Sequence, residues 1–319
     1  MSTTTASRAG TRRHDAPARR GERPRRRHGG IRRFEAALWV GPAVLLIAFV
    51  VLWPIVTMFK TAFQKISPYG VTEGPAGWSN FTQLTHLPVF GLVLVNTLVW
   101  VVVIVVVTMV LSLGLAQLFN LRFPGRKFTR WALIAPWAAS VLMTGIVFKW
   151  MLTTGSGLLL MVGHWLGLVS SVSHANPLGQ AATSMPWMIA VAVFVSLPFS
   201  TYAILAGLTG IPSDIYEAAA VDGASRWKRY WSVTLPLLRP AIVVATLINI
   251  MNVFNSFPII WAMTQGAPNN STATTTVYMY ILKQTNLGQS AALSVVNFVI
   301  VIILAVFFLR VSGWKAGQD

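Results

Sequence analysis

The sequence contains no cysteine, and charged residues make up only 10% of its 319 positions. Without cysteine the chain can form no disulfide, no thiolate nucleophile and no cysteine metal site. A soluble globular domain carries roughly 25% charged residues, so this composition excludes an ordinary water-soluble globule. Acidic residues are especially scarce, at eight in all, which leaves few carboxylates for acid–base or metal chemistry.

Long apolar runs take the place of charge, because 55% of the residues are hydrophobic. A helix that crosses the hydrocarbon core, about 30 Å thick, needs about 20 mostly apolar residues at a rise of about 1.5 Å each. Six stretches meet this length. We therefore predict an all-α integral membrane protein with spans at approximately Ala37 to Phe59, Phe90 to Phe119, Trp131 to Leu152, Pro186 to Gly207, Leu237 to Met263 and Ala291 to Leu309.

Lysine and arginine are distributed unevenly between the loops on the two sides of these spans. Of the 25 basic residues, 21 lie in loops on the side of the termini, and 11 of these are arginines within residues 1–33. Because cytoplasmic loops carry an excess of Lys and Arg, both termini are expected in the cytoplasm.

Residues 1–33 are predicted to form a disordered cytoplasmic tail, since they contain too few apolar side chains to fold. Their arginines are expected to contact anionic membrane lipids. Binding to nucleic acid through this tail is an alternative, but no aromatic residue lies between the arginines to stack on bases. We therefore expect no nucleic-acid partner.

The remaining chain divides into three predicted segments. Residues 34–89 hold the first span and an outer loop, residues 90–312 hold a core of five spans, and residues 313–319 form a second cytoplasmic tail. Within the core, residues 157–168 form an apolar stretch that is too short to span and favours an interfacial or re-entrant helix.

The loop 211–240, between the fourth and fifth spans, has the pattern of a helical hairpin. Ser213 is placed to cap a first helix, and Gly223 can adopt the positive φ that ends it. Ser225 is placed to cap a second helix, which we expect to stop at Pro236 and Pro240. The apolar residues of this hairpin exceed what a solvated loop requires, so the hairpin should pack against this chain or against another protein.

The same loop resembles the "EAA" motif of permease subunits from binding-protein-dependent ABC importers, a MetI-like family. Tyr230 and Val233 replace residues that are usually Phe and Ile, and both keep size and apolar character. The residues that carry the resemblance are Glu217, Ala218, Ala219, Asp222, Gly223, Ala224, Leu235, Pro236 and Pro240.

Other short stretches resemble the carbohydrate-uptake branch of this family. In particular, they resemble the first of the two permease subunits in maltose- and glycerol-phosphate-type importers. Ala267 stands where the branch usually has a second glycine. The matching stretches are Trp53-Pro54, Trp78-Ser79-Asn80-Phe81, Asn96-Thr97 and Gly266-Ala267-Pro268.

The resemblance implies a mechanism and a set of partners. In this family the motif forms a coupling helix that sits in a cleft of a cytoplasmic ATPase, with the motif glutamate facing basic residues there. The chain is then expected in the bacterial inner membrane beside a homologous second permease, two ATPase subunits and an extracytoplasmic solute-binding protein. ATP and Mg are expected on the ATPase, and no cofactor on this chain. The alternative that the hairpin only braces its own bundle stays open.

No catalytic motif is visible, and the predicted spans contain no Asp or Glu beyond Glu35 at the edge of the tail. Proton- and sodium-coupled carriers commonly use carboxylates within the membrane. A permease subunit is therefore favoured over a stand-alone secondary transporter, which is kept as the alternative, as is a permease for a solute other than a sugar or polyol.

Polar uncharged residues within two spans are the candidates for a solute path. Asn249, Asn252 and Ser256 are spaced to share one face of the fifth span, which suits a hydroxylated solute or hydrogen bonds between helices. The resemblance favours the path, because permeases of this family contact substrate from this span and the one before it. The full candidate set is Asn249, Asn252, Asn255 and Ser256 in the fifth span and Ser196, Phe199 and Tyr202 in the fourth, with Phe257 and Trp261 as candidate stacking surfaces.

Overall fold

The computed structural model of the chain describes residues 29–67 and 69–311. The predicted N-terminal tail up to residue 28 and the predicted C-terminal tail lie outside the described residues. Most of the described chain is helical, with one π-helical turn at Tyr230–Thr234 and one small sheet. The elements in order are α1 (Gly29–Ala62), β1 (Gln64–Ile66), β2 (Thr72–Pro75), α2 (Ser79–His86), α3 (Phe90–Asn120), α4 (Arg126–Ala138), α5 (Val141–Met151), α6 (Leu158–Trp165), α7 (Ala181–Thr209), α8 (Ser213–Val221), α9 (Arg226–Arg229), α10 (Leu235–Leu237), α11 (Arg239–Phe254), α12 (Phe257–Met263), α13 (Thr275–Thr285) and α14 (Leu287–Val311).

Four of the predicted spans correspond to continuous helices. Within the described residues, four helices are long and apolar enough to cross a membrane: Leu38–Ala62 of α1, α3, α7 and Leu287–Arg310 of α14. A fifth candidate is a pair of helical segments, Arg226–Leu237 and Arg239–Phe254, with a bend of 64° between them. The continuous runs of Val, Leu and Ile in α3 explain why this helix was predicted almost to the residue.

The third and fifth predicted spans are not single helices, and this corrects the sequence prediction. The third is divided into α4 and α5 after Ala138, and the fifth is divided into α11 and α12 at Asn255 and Ser256. Pro258 therefore does not kink a continuous helix. It lies in the first turn of α12, where a missing N–H costs nothing because that group would have no helical partner.

The prediction of an all-α fold class is confirmed, and the structure adds one small sheet to it. Strands β1 and β2 pair antiparallel in the loop after α1, with a bulge between Lys65 and Ile66. Lys65 and Glu73 form a salt bridge of 3.0 Å across this pair. Both side chains are largely exposed, so the bridge contributes little to stability.

The chain divides into two units, residues 1–54 and 55–319. In the first unit, the described residues form the apolar N-terminal part of α1, where the rings of Phe49 and Trp53 stack with centres 5.8 Å apart. In the second unit, α3 packs along α7, and α11 packs on both. Gly207 lets α7 approach α11 closely, because a Cβ there would lie 2.6 Å from the Cβ of Ala241.

Two polar side chains of α3 hold the loop before α13 in place. Asn96 of α3 donates to the carbonyl oxygens of Ser271 and Ala273, at 3.0 and 3.1 Å. The Thr97 hydroxyl accepts from the backbone N–H of Thr275 at 2.9 Å. The loop before α13 is thereby tied to the start of α3.

Candidate functional site

A cavity of about 450 Å³ lies beside both helix breaks. Its walls come from α7, α11 and α12, together with Trp137 of α4 and Val141 of α5. Six of the seven candidate path residues line it, namely Ser196, Phe199, Asn249, Asn252, Asn255 and Ser256. The remaining lining residues are Ala192, Val195, Val253, Pro258 and Ile259, and none of the lining side chains carries a charge.

Three polar side chains of the cavity have hydrogen-bonding capacity to spare. Asn249 is 2% exposed, and its amide nitrogen has no partner among the described residues. An unpaired buried amide costs about 1–3 kcal/mol, so this group favours a ligand or a water in the cavity. Asn252 and Ser196 also line the cavity, at exposed and half-buried positions respectively.

Ser256 takes part in a hydrogen bond between helices, which is the alternative that the sequence analysis kept for this face. Its hydroxyl donates to the carbonyl oxygen of Val253 at 2.6 Å and accepts from the indole N–H of Trp100 at 2.7 Å. The same indole N–H lies 3.1 Å from the carbonyl oxygen of Val253. Trp100 is 1% exposed, so this contact holds the break between α11 and α12 from within the core.

Tyr202 is the one candidate path residue that does not line this cavity. Its hydroxyl donates to the carbonyl oxygen of Arg130 at 3.2 Å. It lines an adjoining cavity of about 300 Å³ whose other walls are almost entirely apolar. Phe257 and Trp261 also lie apart, because they pack on each other and on Tyr280, with ring centres 4.7 to 5.5 Å apart.

Sequence reasoning missed Trp137, which lines both of these cavities. Its indole is 60% exposed and lies just before the break between α4 and α5. Pro136 directly precedes it in the sequence, but a proline within an apolar run does not indicate which neighbouring side chain faces a cavity. The three-residue spacing of Asn249 and Asn252 on α11 did identify a shared face.

The hairpin predicted at 211–240 forms, with two differences in detail. Gly223 has a φ of +73° and ends α8, where the Ala224 N–H bonds the Ala219 carbonyl and the Gly223 N–H bonds the Ala220 carbonyl. The Ser225 hydroxyl caps α9 by accepting from the N–H of Lys228 at 3.3 Å, as predicted.

The predicted cap at Ser213 is wrong, as is the stop at Pro236. The Ser213 hydroxyl donates to the carboxylate of Asp214, and Pro212 occupies the cap position without a side-chain bond. Helical backbone continues through Pro236 to Leu237. The π-helical turn directly before this proline widens the chain there, which relieves the clash that a proline ring makes with the preceding turn.

The hairpin presents an exposed surface of mixed character. No residue of α8 or α9 is buried. Trp227 is 71% exposed and Trp231 52%, although their rings contact each other and that of Tyr230. Glu217 is exposed, and among the described residues no cation forms a salt bridge with it. Such a surface is suited to contact with another protein.

A set of membrane-spanning helices around a neutral polar cavity, with an exposed helical hairpin, is typical of a solute permease. The family profile described as "Binding-protein-dependent transport system inner membrane component" matches residues 108–312. The chain belongs to this family, and the resemblance found in the sequence is confirmed. It is therefore a permease subunit of an ATP-driven importer and not itself an enzyme.

Curated relatives cover most of the chain. A probable ABC transporter permease protein of Brucella suis is 39% identical over 85% of this chain and 94% of its own length. A sulfoquinovosyl glycerol transport system permease of Agrobacterium fabrum is 33% identical over 89% and 92%. A trehalose/maltose transport system permease of Thermococcus litoralis is 28% identical over 87% and 93%.

A solved structure shares the fold. It is the crystal structure of a bacterial ABC transporter involved in the import of the acidic polysaccharide alginate, and one of its chains matches with a TM-score of 0.79. The match covers 90% of this chain and 98% of that chain at 20% identity. A second crystal structure, of a bacterial alginate ABC transporter in complex with a pentasaccharide-bound periplasmic protein, matches with a TM-score of 0.76.

Proposed function

We propose that this chain imports a neutral sugar or polyol and that the solute passes through the cavity beside the two helix breaks. The observation that carries the proposal is the lining, in which the amides of Asn249 and Asn252 and the hydroxyl of Ser196 have capacity for hydrogen bonds and no side chain is charged. Neutral amides and hydroxyls suit a ligand with many hydroxyl groups, whereas an ionic solute requires a counter-charge. The neutral sugars named for one of the relatives, trehalose and maltose, support the same class.

In the proposed arrangement the chain crosses the inner membrane six times, with α4–α5 and α11–α12 each counted as one broken span. Both termini and the hairpin 211–240 then lie in the cytoplasm, as the excess of Lys and Arg in those loops favours. Broken helices are tolerated at membrane depth where they line a cavity, which matches the position of both breaks.

The hairpin is proposed as the contact with a cytoplasmic ATPase. The first half of the hairpin and its bend contain the motif residues Glu217, Ala218, Ala219, Asp222, Gly223 and Ala224. The chain then returns to α11 through Leu235 and Pro236. The exposed carboxylate of Glu217, which forms no salt bridge among the described residues, and the exposed indole of Trp227 offer charge and apolar area to a partner. A homologous second permease, two ATPase subunits that bind ATP and Mg, and an extracytoplasmic solute-binding protein complete the proposed importer.

Reconstitution of the assembled importer tests the proposal. Proteoliposomes that contain the importer and its binding protein should take up labelled neutral saccharides only with ATP, and should not take up an acidic oligosaccharide of alginate. Replacement of Asn252 by Leu should reduce uptake about tenfold, since one or two hydrogen bonds to the solute are lost. Tyr202→Phe is the matched control and should change uptake less than twofold, because the Tyr202 hydroxyl contacts the Arg130 carbonyl instead of the cavity. Uptake without ATP by this chain alone would favour a secondary transporter and would contradict the proposal.

A further inference from the structure

A second cavity, of about 280 Å³, lies between the C-terminal end of α11, helix α13 and helix α14. It shares one lining residue, Asn255, with the cavity proposed for the solute. Asn255 lies at the break after α11, so the two cavities adjoin on either side of this break. The lining consists of Phe254, Asn255, Thr276, Met279, Ser294, Asn297, Phe298 and Val301.

Asn297 is the unusual residue of this second cavity. It lies in the middle of the apolar helix α14 and is 7% exposed. Neither the nitrogen nor the oxygen of its side-chain amide has a hydrogen-bond partner among the described residues. Buried amides are nearly always paired, so an amide with both polar atoms unpaired in an apolar helix requires an explanation.

The other polar groups of the cavity are largely occupied. The Ser294 hydroxyl donates to the Ser290 carbonyl at 2.8 Å, and the Thr276 hydroxyl pairs with that of Thr274 at 3.1 Å. The Asn255 amide nitrogen donates to the Met251 carbonyl at 3.0 Å, which leaves its side-chain oxygen as an acceptor. A ligand of this cavity would therefore meet one complete amide, from Asn297, and one further acceptor.

We propose that this cavity is a second subsite for the imported solute and that the Asn297 amide binds its hydroxyl groups. The inference rests on the proposed function. An amide donates and accepts at once, as a pair of neighbouring hydroxyls does, and no lining residue is charged. The aromatic rings of Phe254 and Phe298 add apolar faces of the kind that a sugar ring can cover.

The position of the second subsite narrows the class of solute. Because the two cavities adjoin at Asn255, a saccharide of two or more units can extend from one cavity into the other and contact both sets of polar groups. The importer is therefore assigned a di- or oligosaccharide as its solute. The Asn297 amide then binds the sugar unit in the second cavity, while the first cavity holds the neighbouring unit.

The test uses the assembled importer in proteoliposomes with its solute-binding protein. The probes are labelled glucose, trehalose and maltotriose, and the variant is Asn297→Leu, which keeps a similar volume and removes the amide. Initial uptake of the di- or trisaccharide should fall about tenfold, as expected when one or two hydrogen bonds are lost. ATP hydrolysis stimulated by the loaded binding protein should remain, because the hairpin is unchanged.

Two matched variants and one assembly measurement distinguish the outcomes. Ser184→Ala removes a hydroxyl that helix α7 already uses on the Gln180 carbonyl, outside both cavities, and should change uptake less than twofold, whereas Asn297→Gln should restore part of the loss. If Asn297→Leu transports normally, or loses the second permease on purification, the inference is wrong, and in the second case Asn297 serves subunit packing. If the unaltered importer takes up only glucose, the inference is also wrong. If it takes up none of the three sugars and no other neutral sugar or polyol, the proposed function fails as well.

Discussion

At the scale of single residues, two features of the hairpin can be tested: the exposed carboxylate of Glu217 and the backbone conformation of Gly223. Glu217 extends from α8 into solvent, and among the described residues it has no ionic partner. Gly223 holds a φ of +73°, in the left-handed region that costs a residue with a side chain roughly 1–2 kcal/mol. If the hairpin transmits motion from an ATPase, both features should matter to transport more than to folding.

The charge of Glu217 provides the first prediction. Replacement by Lys should abolish uptake and solute-stimulated ATP hydrolysis, because a positive charge would face the basic residues expected on the ATPase. The amount of protein in the membrane should not change, since the side chain is exposed. Glu73→Lys makes the same change in charge at an exposed salt bridge in the loop after α1 and should leave uptake nearly normal. Normal transport by Glu217→Lys would contradict the coupling role.

The conformation of Gly223 can be tested with a pair of variants. Proline fixes φ near −65° and cannot adopt the observed value, so Gly223→Pro should disrupt the bend and abolish uptake. Asparagine enters the left-handed region more readily than other residues with a side chain, so Gly223→Asn should retain most uptake. No Cβ contact opposes either variant, because nothing lies within 4 Å of that position. Equal uptake by the two variants would show that the bend is not required.

The sequence indicated which residues line the cavity where their polarity differs from that of the apolar residues around them. Asn249 and Asn252 are polar positions in an apolar run, and the structure brings both to one cavity. Tyr202 was grouped with them by position, but its hydroxyl bonds a backbone carbonyl of α4, a partner 72 residues away that no local pattern reveals. Trp137 was missed because tryptophan is common at membrane interfaces and gives no signal for a cavity.

At the scale of elements, the two broken helices are the feature that creates the site. Hydropathy predicted each as one span, because each stretch is apolar on average even with Ser140, Asn255 and Ser256 at the breaks, and because hydropathy does not register backbone geometry. At Asn255 and Ser256 the break also makes a tertiary contact, because the indole N–H of Trp100 from α3 bonds the Ser256 hydroxyl and the Val253 carbonyl. The prolines near both breaks were visible in the sequence, but their positions relative to the helix ends were not.

This contact leads to a prediction about the break itself. Trp100→Phe keeps an aromatic ring in the core and removes the N–H that bonds Ser256 and the Val253 carbonyl. The importer should be destabilised by about 1 kcal/mol, and uptake should fall, because Asn255 and Asn252 are positioned by the same turn. The thermal midpoint of the purified importer measures the first effect and proteoliposome uptake the second. Trp150→Phe, at a position 69% exposed, is the control. An unchanged midpoint for Trp100→Phe would mean that the break forms without the indole.

At the scale of the whole molecule, the question is how many times the chain crosses the membrane. Within the described residues, four continuous helices are apolar and long enough to cross the membrane. A count of four crossings would leave the two broken helices without an assigned role. Counting each broken helix as one crossing places the hairpin and the Lys- and Arg-rich loops on one side, as the positive-inside rule expects. The absence of cysteine makes this arrangement testable, since each introduced cysteine would be the only thiol.

The last prediction uses five single-cysteine variants at positions in the successive loops. Thr85→Cys, Ser173→Cys and Gln284→Cys should react with a membrane-impermeant maleimide in intact spheroplasts, whereas Asn120→Cys and Ser213→Cys should react only in inside-out vesicles. If Asn120→Cys and Ser173→Cys are labelled from opposite sides, α4 and α5 together cross the membrane once. If Ser213→Cys and Gln284→Cys are labelled from opposite sides, the same holds for α11 and α12. Uptake by each variant shows that labelling reports the folded importer. Labelling of Asn120 and Ser173 from the same side would make α4 and α5 a re-entrant segment, and the solute cavity would then open to one side through that segment.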